Sequence, residues 1–117
     1  MKKQLAIVSI LLCIISFSFT NQFVLTGLKV TVRDNLGNLA SGVKVTLYEN
    51  KEDYDKSLNP VGTQTTDAKG NAVFDKLKPI IYYVNAEKGD KNNFNAGEKT
   101  EVLKENRQNR VTIIISE

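Results

Sequence analysis

The sequence predicts an all-β domain, a seven-stranded antiparallel β-sandwich, exported behind an N-terminal signal peptide. Three observations carry this prediction. Apolar and polar residues alternate through most of the chain after residue 27, and turn-forming residues interrupt the alternation at short intervals. Outside the first twenty residues, no window carries apolar side chains at helical spacing. Successive side chains of a strand point to opposite faces, so alternation marks a half-buried strand. About seven short strands joined by turns, in a chain of this size, indicate two packed sheets.

The first segment, residues 1–20, reads as the signal. Lys2 and Lys3 form a positive tip, and residues 5–19 then run without a charge. That run falls short of the roughly 20 apolar residues that span a bilayer comfortably, so export followed by cleavage is favoured over a retained anchor. Ser16 with Ser18, or Ser18 with Thr20, supplies the small-residue pair that signal peptidase reads. The mature chain is therefore expected to begin near Phe19 or Asn21. Cys13, the single cysteine, lies inside the apolar run. Leu12 before it is bulky where the lipoprotein peptidase prefers Gly or Ala, so Cys13 reads as a small apolar residue of the signal rather than a lipidation site. The mature chain then has no cysteine and no disulfide.

Residues 21–27 form a short lead and residues 28–117 the domain. Leu28-Lys29-Val30-Thr31-Val32-Arg33 alternates strictly and is the first strand, followed by the turn-rich Asp34-Asn35-Leu36-Gly37-Asn38. Val43-Lys44-Val45-Thr46-Leu47-Tyr48 repeats the pattern, with Val43, Val45 and Leu47 inward. Residues 49–60 are charged and aperiodic, and read as a surface loop. Residues 61–66 form a short polar strand. Asp67-Ala68-Lys69-Gly70-Asn71 is a tight turn in which Gly70 takes positive φ. Ala72-Val73-Phe74 begins the next strand, and residues 80–87 read as the longest, central one. Residues 89–97 are a second polar loop, residues 99–103 a short strand and residues 110–116 the last.

Three of these segments, in this order, resemble one family. They are Val30-Thr31-Val32-Arg33-Asp34 through Gly37 to Leu39-Ala40-Ser41-Gly42-Val43-Lys44-Val45; then Thr66-Asp67-Ala68-Lys69-Gly70-Asn71-Ala72-Val73-Phe74; then Leu77-Lys78-Pro79 with Tyr82-Tyr83-Val84-Asn85-Ala86. Together they are similar to the carboxypeptidase regulatory-like domain, a prealbumin-like (transthyretin-like) sandwich common in secreted bacterial proteins. The resemblance spans roughly residues 28–116. It implies the fold, with Phe74 and Leu77 plugging the core and Tyr82, Val84 and Ala86 facing inward, and it implies little about function because the motif is structural. Ile80 follows Pro79 where the family usually has Gly.

The chain has no histidine, which removes His-based acid–base catalysis, Ser-His-Asp centres and nearly all His-containing zinc sites. It also separates the chain from the transthyretin-like hydrolases of urate breakdown, which depend on histidines. The Lys–Asn crosslink of the collagen-adhesin B-type domains is not expected either: Val32 stands where the lysine would, and the last strand ends Ile113-Ile114-Ile115-Ser116-Glu117 with no Asn. No catalytic residue, cofactor or metal is expected.

Glu49, Glu52, Asp53 and Asp55 in the loop 49–59, and Asp90, Asn92, Asn93 and Asn95 in the loop 89–97, have oxygens suited to weak calcium binding. Interleaved Lys51 and Lys56 and the wrong spacing favour solvated loops and turns. The mature chain carries 14 basic and 13 acidic residues with no basic cluster, so a nucleic-acid partner is not expected. Contact with a membrane is expected only through an uncleaved signal. Tyr48 and Tyr83 fall on the outward phase of their strands and are the candidate partner contacts. The expected function is a non-catalytic exported binding or structural module of the envelope or exterior, with an envelope protein or a glycan as its partner, the alternative being a carbohydrate-binding protein that uses exposed tyrosines.

Overall fold

The computed structural model describes residues 25–94 and 97–117. The segment read as the export signal, with Cys13 and residues 21–24 of the lead, lies outside the described residues. The described chain is all-β apart from one short helix. Its strands are β1 (Gly27–Asp34), β2 (Lys44–Tyr48), β3 (Gly62–Thr65), β4 (Asn71–Phe74), β5 (Tyr83–Lys88), β6 (Lys91–Asn92) and β7 (Gln108–Ile115), with helix α1 (Lys51–Lys56) between β2 and β3. Two sheets form, one ordered β4-β1-β7 and the other β3-β2-β5-β6.

The alternation seen in the sequence places one side chain in two between the sheets. Leu28, Val30 and Val32 of β1, Val45 and Leu47 of β2, Val84 and Ala86 of β5, and Ile113 and Ile115 of β7 are buried together. Burying each such aliphatic side chain contributes about 1.5–3 kcal/mol. Phe74 closes one end, with Leu77 packed against the cluster. Tyr82 is buried at the same level and its hydroxyl accepts the Lys78 amide at 2.9 Å, which ties the start of β5 to the corner before Pro79.

The turn between β3 and β4 is built as its residues dictate. Asp67 Oδ1 accepts the amides of Lys69 (2.9 Å) and Asn71 (3.0 Å), and Gly70 takes φ +77°. The Asn71 amide first, and the Lys69 amide second, hold the Asp67 carboxyl below its ordinary pKa. A depressed carboxyl adds stability above its unfolded pKa, and that contribution fades as pH falls through the folded value. Gly70 also lies under β1: its carbonyl accepts the Val32 amide at 2.8 Å, and a Cβ at this position would stand 2.8 Å from the Val32 carbonyl oxygen.

Several expected elements differ. The sheets are not wholly antiparallel, since β1 and β7 pair in parallel over their full lengths. Alternation determines which face a residue takes but not the direction of the neighbouring strand. The long connection after β5 returns the chain so that β7 runs alongside β1 in the same sense, as parallel pairing requires. Residues 49–60 are not all loop: Asn50 caps α1 by accepting the Asp53 amide at 2.8 Å, and Lys56–Glu52 (3.0 Å) and Lys51–Asp55 (3.4 Å) link successive turns. Six residues are too few to display a helical period.

Strand β5 is shorter than β1 and β7 and starts at Tyr83, because the Ile80 amide turns back to the Lys78 carbonyl. Residues 99–103 make only a single bridge, Lys99 to Tyr83, rather than a strand. The polar loop 89–97 contains β6 and a fully buried Asn93.

Phe74→Ala is expected to cost about 3–5 kcal/mol in denaturant unfolding, the usual consequence of emptying a buried aromatic site. A loss below about 1 kcal/mol would mean that the two sheets close without it.

Candidate functional site

The outer face of the four-stranded sheet gathers the polar and aromatic side chains that alternation excludes from the core. Register pairs Lys44 with Glu87, Thr46 with Asn85 and Tyr48 with Tyr83 across β2 and β5. On β3, Thr63 lies opposite Thr46, their hydroxyls 3.3 Å apart.

Helix α1 lies across the tyrosine end of this face. Its one buried side chain, Tyr54, packs edge-on against Tyr48 with ring centroids 5.9 Å apart and tilted against Tyr83 at 6.1 Å. The expectation of an exposed Tyr48 is therefore corrected: it keeps its outward phase but is only 4% exposed, because the helix covers it. Tyr83 is half-buried by the same ring. The sequence reading treated 49–60 as solvated loop and so had nothing to place over the tyrosines. Lys51 anchors the far side of the helix by pairing with Glu98 at 3.0 Å, while its ammonium sits 5.8 Å from the Tyr54 ring centroid. The Glu98 hydrogen bond raises the Lys51 pKa.

Where the helix ends, at Ser57 in the left-handed conformation, the sheet face opens into two adjoining hollows. One, of about 340 Å³, has Lys44, Thr46, Thr63 and Pro60 around it. The other, of about 290 Å³, is bounded by Tyr54, Asp55, Phe94 and Glu98. Ser57, Asn85 and Glu87 belong to both. Phe94, on the rim, is 56% exposed.

Two residues that line the smaller hollow each hold a buried polar atom without a partner among the described residues: the Tyr54 hydroxyl and Asn85 Oδ1. Their side chains are 7% and 8% exposed. A buried acceptor or donor left unpaired costs about 1–3 kcal/mol, so both atoms are costly points of the fold beside the hollow. Burial first, and the Glu98 carboxylate second, raise the Tyr54 pKa, which keeps its hydroxyl a neutral donor.

The acidic groups expected to tempt calcium are spoken for locally. Glu52 and Asp55 bridge to lysines of their own helix, Asp53 accepts from the Asn50 amide group at 3.0 Å, and Glu49 pairs with Lys78 at 2.9 Å. In the second loop, Asn92 accepts the Phe94 amide and Asn93 is turned inward. Among the described residues no three His, Cys, Asp or Glu side chains converge as metal ligands, and no helix is long and apolar enough to cross a membrane. Neither a family model nor a curated protein matches this chain.

Sequence reasoning found Tyr48 and Tyr83 but missed Tyr54, Asn85, Phe94 and Glu98. Asn85 was legible as outward-facing from its place between Tyr83 and Glu87 in register with them. Tyr54 offered one signal, being the lone aromatic residue in a charged stretch.

Tyr54→Phe is expected to leave thermal stability unchanged or to raise it slightly, because it removes a hydroxyl that has no partner, whereas Tyr54→Ala empties the aromatic cluster and costs about 3 kcal/mol. A Tyr54→Phe loss above about 1 kcal/mol would show that the hydroxyl is hydrogen-bonded within the fold.

Proposed function

We propose that this chain is a non-catalytic binding module, exported by its N-terminal segment, that takes an envelope protein or a glycan on the outer face of its four-stranded sheet. The observation that carries the reading is that one hollow is lined by Tyr54 and Asn85, each holding a buried polar atom unpaired among the described residues, together with the exposed Phe94. Export is supported by Lys2, Lys3 and the uncharged run 5–19, and the absence of catalysis by a chain without histidine. In its finer form the fold is read as a seven-stranded, prealbumin-like sandwich of the carboxypeptidase regulatory-like kind. The resemblance of residues 28–116 supports that form, as does the turn geometry at Asp67 and Gly70.

A glycan is the second reading, and a specific set of groups favours it. The exposed ring of Phe94 stands beside Asn85, Glu87 and Glu98, a stacking surface next to acceptors suited to hydroxyl groups. Tyr48 and Tyr83 then act as the support under α1 rather than as stacking platforms.

Photo-crosslinking in the producing cell separates these readings. With benzoylphenylalanine at Ser57, on the shared rim, an adduct is expected; with the same group at Lys69, in the β3–β4 turn, none is. A protease-sensitive adduct identifies a protein and a glycosidase-sensitive one a glycan. Equal adducts at both positions, or none at Ser57, would overturn the outer-face assignment.

A further inference from the structure

The parallel pairing of β1 with β7 determines which backbone groups of β7 are occupied. In this ladder alternate residues of β1 face β7, each bonding the two residues that flank its partner, while the residues between them face β4. Gly27 stands opposite Gln108 and donates to the Arg107 carbonyl at 3.0 Å, so the odd-numbered residues of β7 turn their N–H and C=O groups toward β1. Arg110, Thr112, Ile114 and Ser116 turn theirs away. Ser116 confirms the direction: it exchanges two hydrogen bonds with Asn92, at 3.0 and 2.9 Å, and there joins the two sheets edge to edge. Among the described residues, Arg110, Thr112 and Ile114 have no partner on that side. Five residues of strand, about 17 Å, thus present an open edge.

Alongside the first half of that edge lies a cleft of about 500 Å³, between β7 and residues 99–104. Its bed is apolar, with Leu28, Leu103 and Val111, and Val102 is 60% exposed at its side. Its rim is cationic: Lys99, Lys104, Arg107 and Arg110 line it, against Glu101 alone. All four cations are exposed, and none forms an ion pair with a described residue, in contrast to Lys51, Lys56 and Lys78. Glu105, the nearest other acid in sequence, does not line the cleft. Among the described residues the other edge strands are shorter: β6 has two residues, and β3 and β4 have four each and are joined to one another by the Asp67–Gly70 turn.

An open strand edge supplies main-chain affinity, and alternate side-chain positions supply specificity, when an extended peptide adds to a sheet. We propose that the free edge of β7 takes an extended acidic segment of a partner protein as an added strand. Its backbone pairs with Arg110, Thr112 and Ile114, its carboxylates meet the four cations, and its apolar alternate side chains settle on Val111 and the exposed Val102, over the buried Leu28 and Leu103. This surface is separate from the outer-face groove and stands or falls independently of it.

The test uses ¹⁵N-labelled protein and three capped seven-residue peptides: alternating valine and glutamate, alternating valine and lysine, and the glutamate peptide N-methylated at alternate amides. The glutamate peptide, at tenfold excess over its Kd, is expected to slow exchange of the Arg110, Thr112 and Ile114 amides about tenfold. The lysine and N-methylated peptides are expected to leave those amides unchanged. Arg107→Glu with Arg110→Glu should exchange the preference between the glutamate and lysine peptides. Equal binding of the N-methylated peptide, protection centred on another strand, or no saturable shift up to millimolar glutamate peptide would overturn the proposal.

Discussion

Strand β5 gives Val84 and Ala86 to the core and Tyr83 and Asn85 to the outer face, and the middle of its second side is paired by the Asn93 side chain, which stands in for a strand there. On one side β2 pairs with Tyr83 to Glu87; on the other, β6 covers only Glu87 and Lys88. Beyond β6, Asn93 Oδ1 accepts the Ala86 amide at 3.1 Å, and its Nδ2 donates to the carbonyls of Val84 (2.7 Å) and Gly97 (3.0 Å). The Glu98 carbonyl then takes the Val84 amide, and Thr100 accepts the Tyr82 amide on its hydroxyl and donates its own amide to the Tyr82 carbonyl. Buried backbone groups must be paired, and here an amide side chain, fully buried, pairs them in place of a ladder.

Both candidate surfaces follow from that arrangement. By holding Gly97, Asn93 positions Glu98, whose carboxylate secures α1 through Lys51 and so keeps Tyr54 over Tyr48 and Tyr83. The hollow beside Asn85 is the space left at the end of that short helix. On the other side, Asn92 carries the one edge-to-edge link among the described residues, to Ser116, and the chain then follows β5 rather than β7. Residues 99–104 therefore satisfy the start of β5 and leave the β7 edge open.

Much of the fold was legible because burial alternates along single strands. The inward sets Leu28, Val30, Val32 and Val45, Leu47, the Asp67–Gly70 turn and the plug at Phe74 are local patterns, and all are found where the residues indicate. What was not legible depends on partners distant in sequence. Nothing local to Gln108–Ile115 states that its neighbour runs parallel. Nothing in Asn93, one of several asparagines in a polar loop, distinguishes a turn residue from a buried brace. Tyr48 shows the same limit: its phase was read correctly, and its exposure was decided by a helix held down by one tyrosine and one ion pair. Of the candidate site, the two tyrosines were visible beforehand and the polar groups that border the hollow were not.

The dependence of β5 on a single amide is most directly tested by Asn93→Asp, which changes one NH₂ group to oxygen. The aspartate keeps an acceptor for Ala86 but loses both donors, and it turns a buried carboxylate toward two carbonyl oxygens. Relative to the unchanged protein, a loss of about 3–5 kcal/mol is expected at neutral pH. Burial and the facing carbonyls raise the folded pKa of the new carboxyl above its unfolded value, so protonation favours the folded state and the deficit should shrink as pH falls from about 8 to about 5. A variant within about 1 kcal/mol of the original, with a difference that does not change with pH, would contradict the role assigned to Asn93.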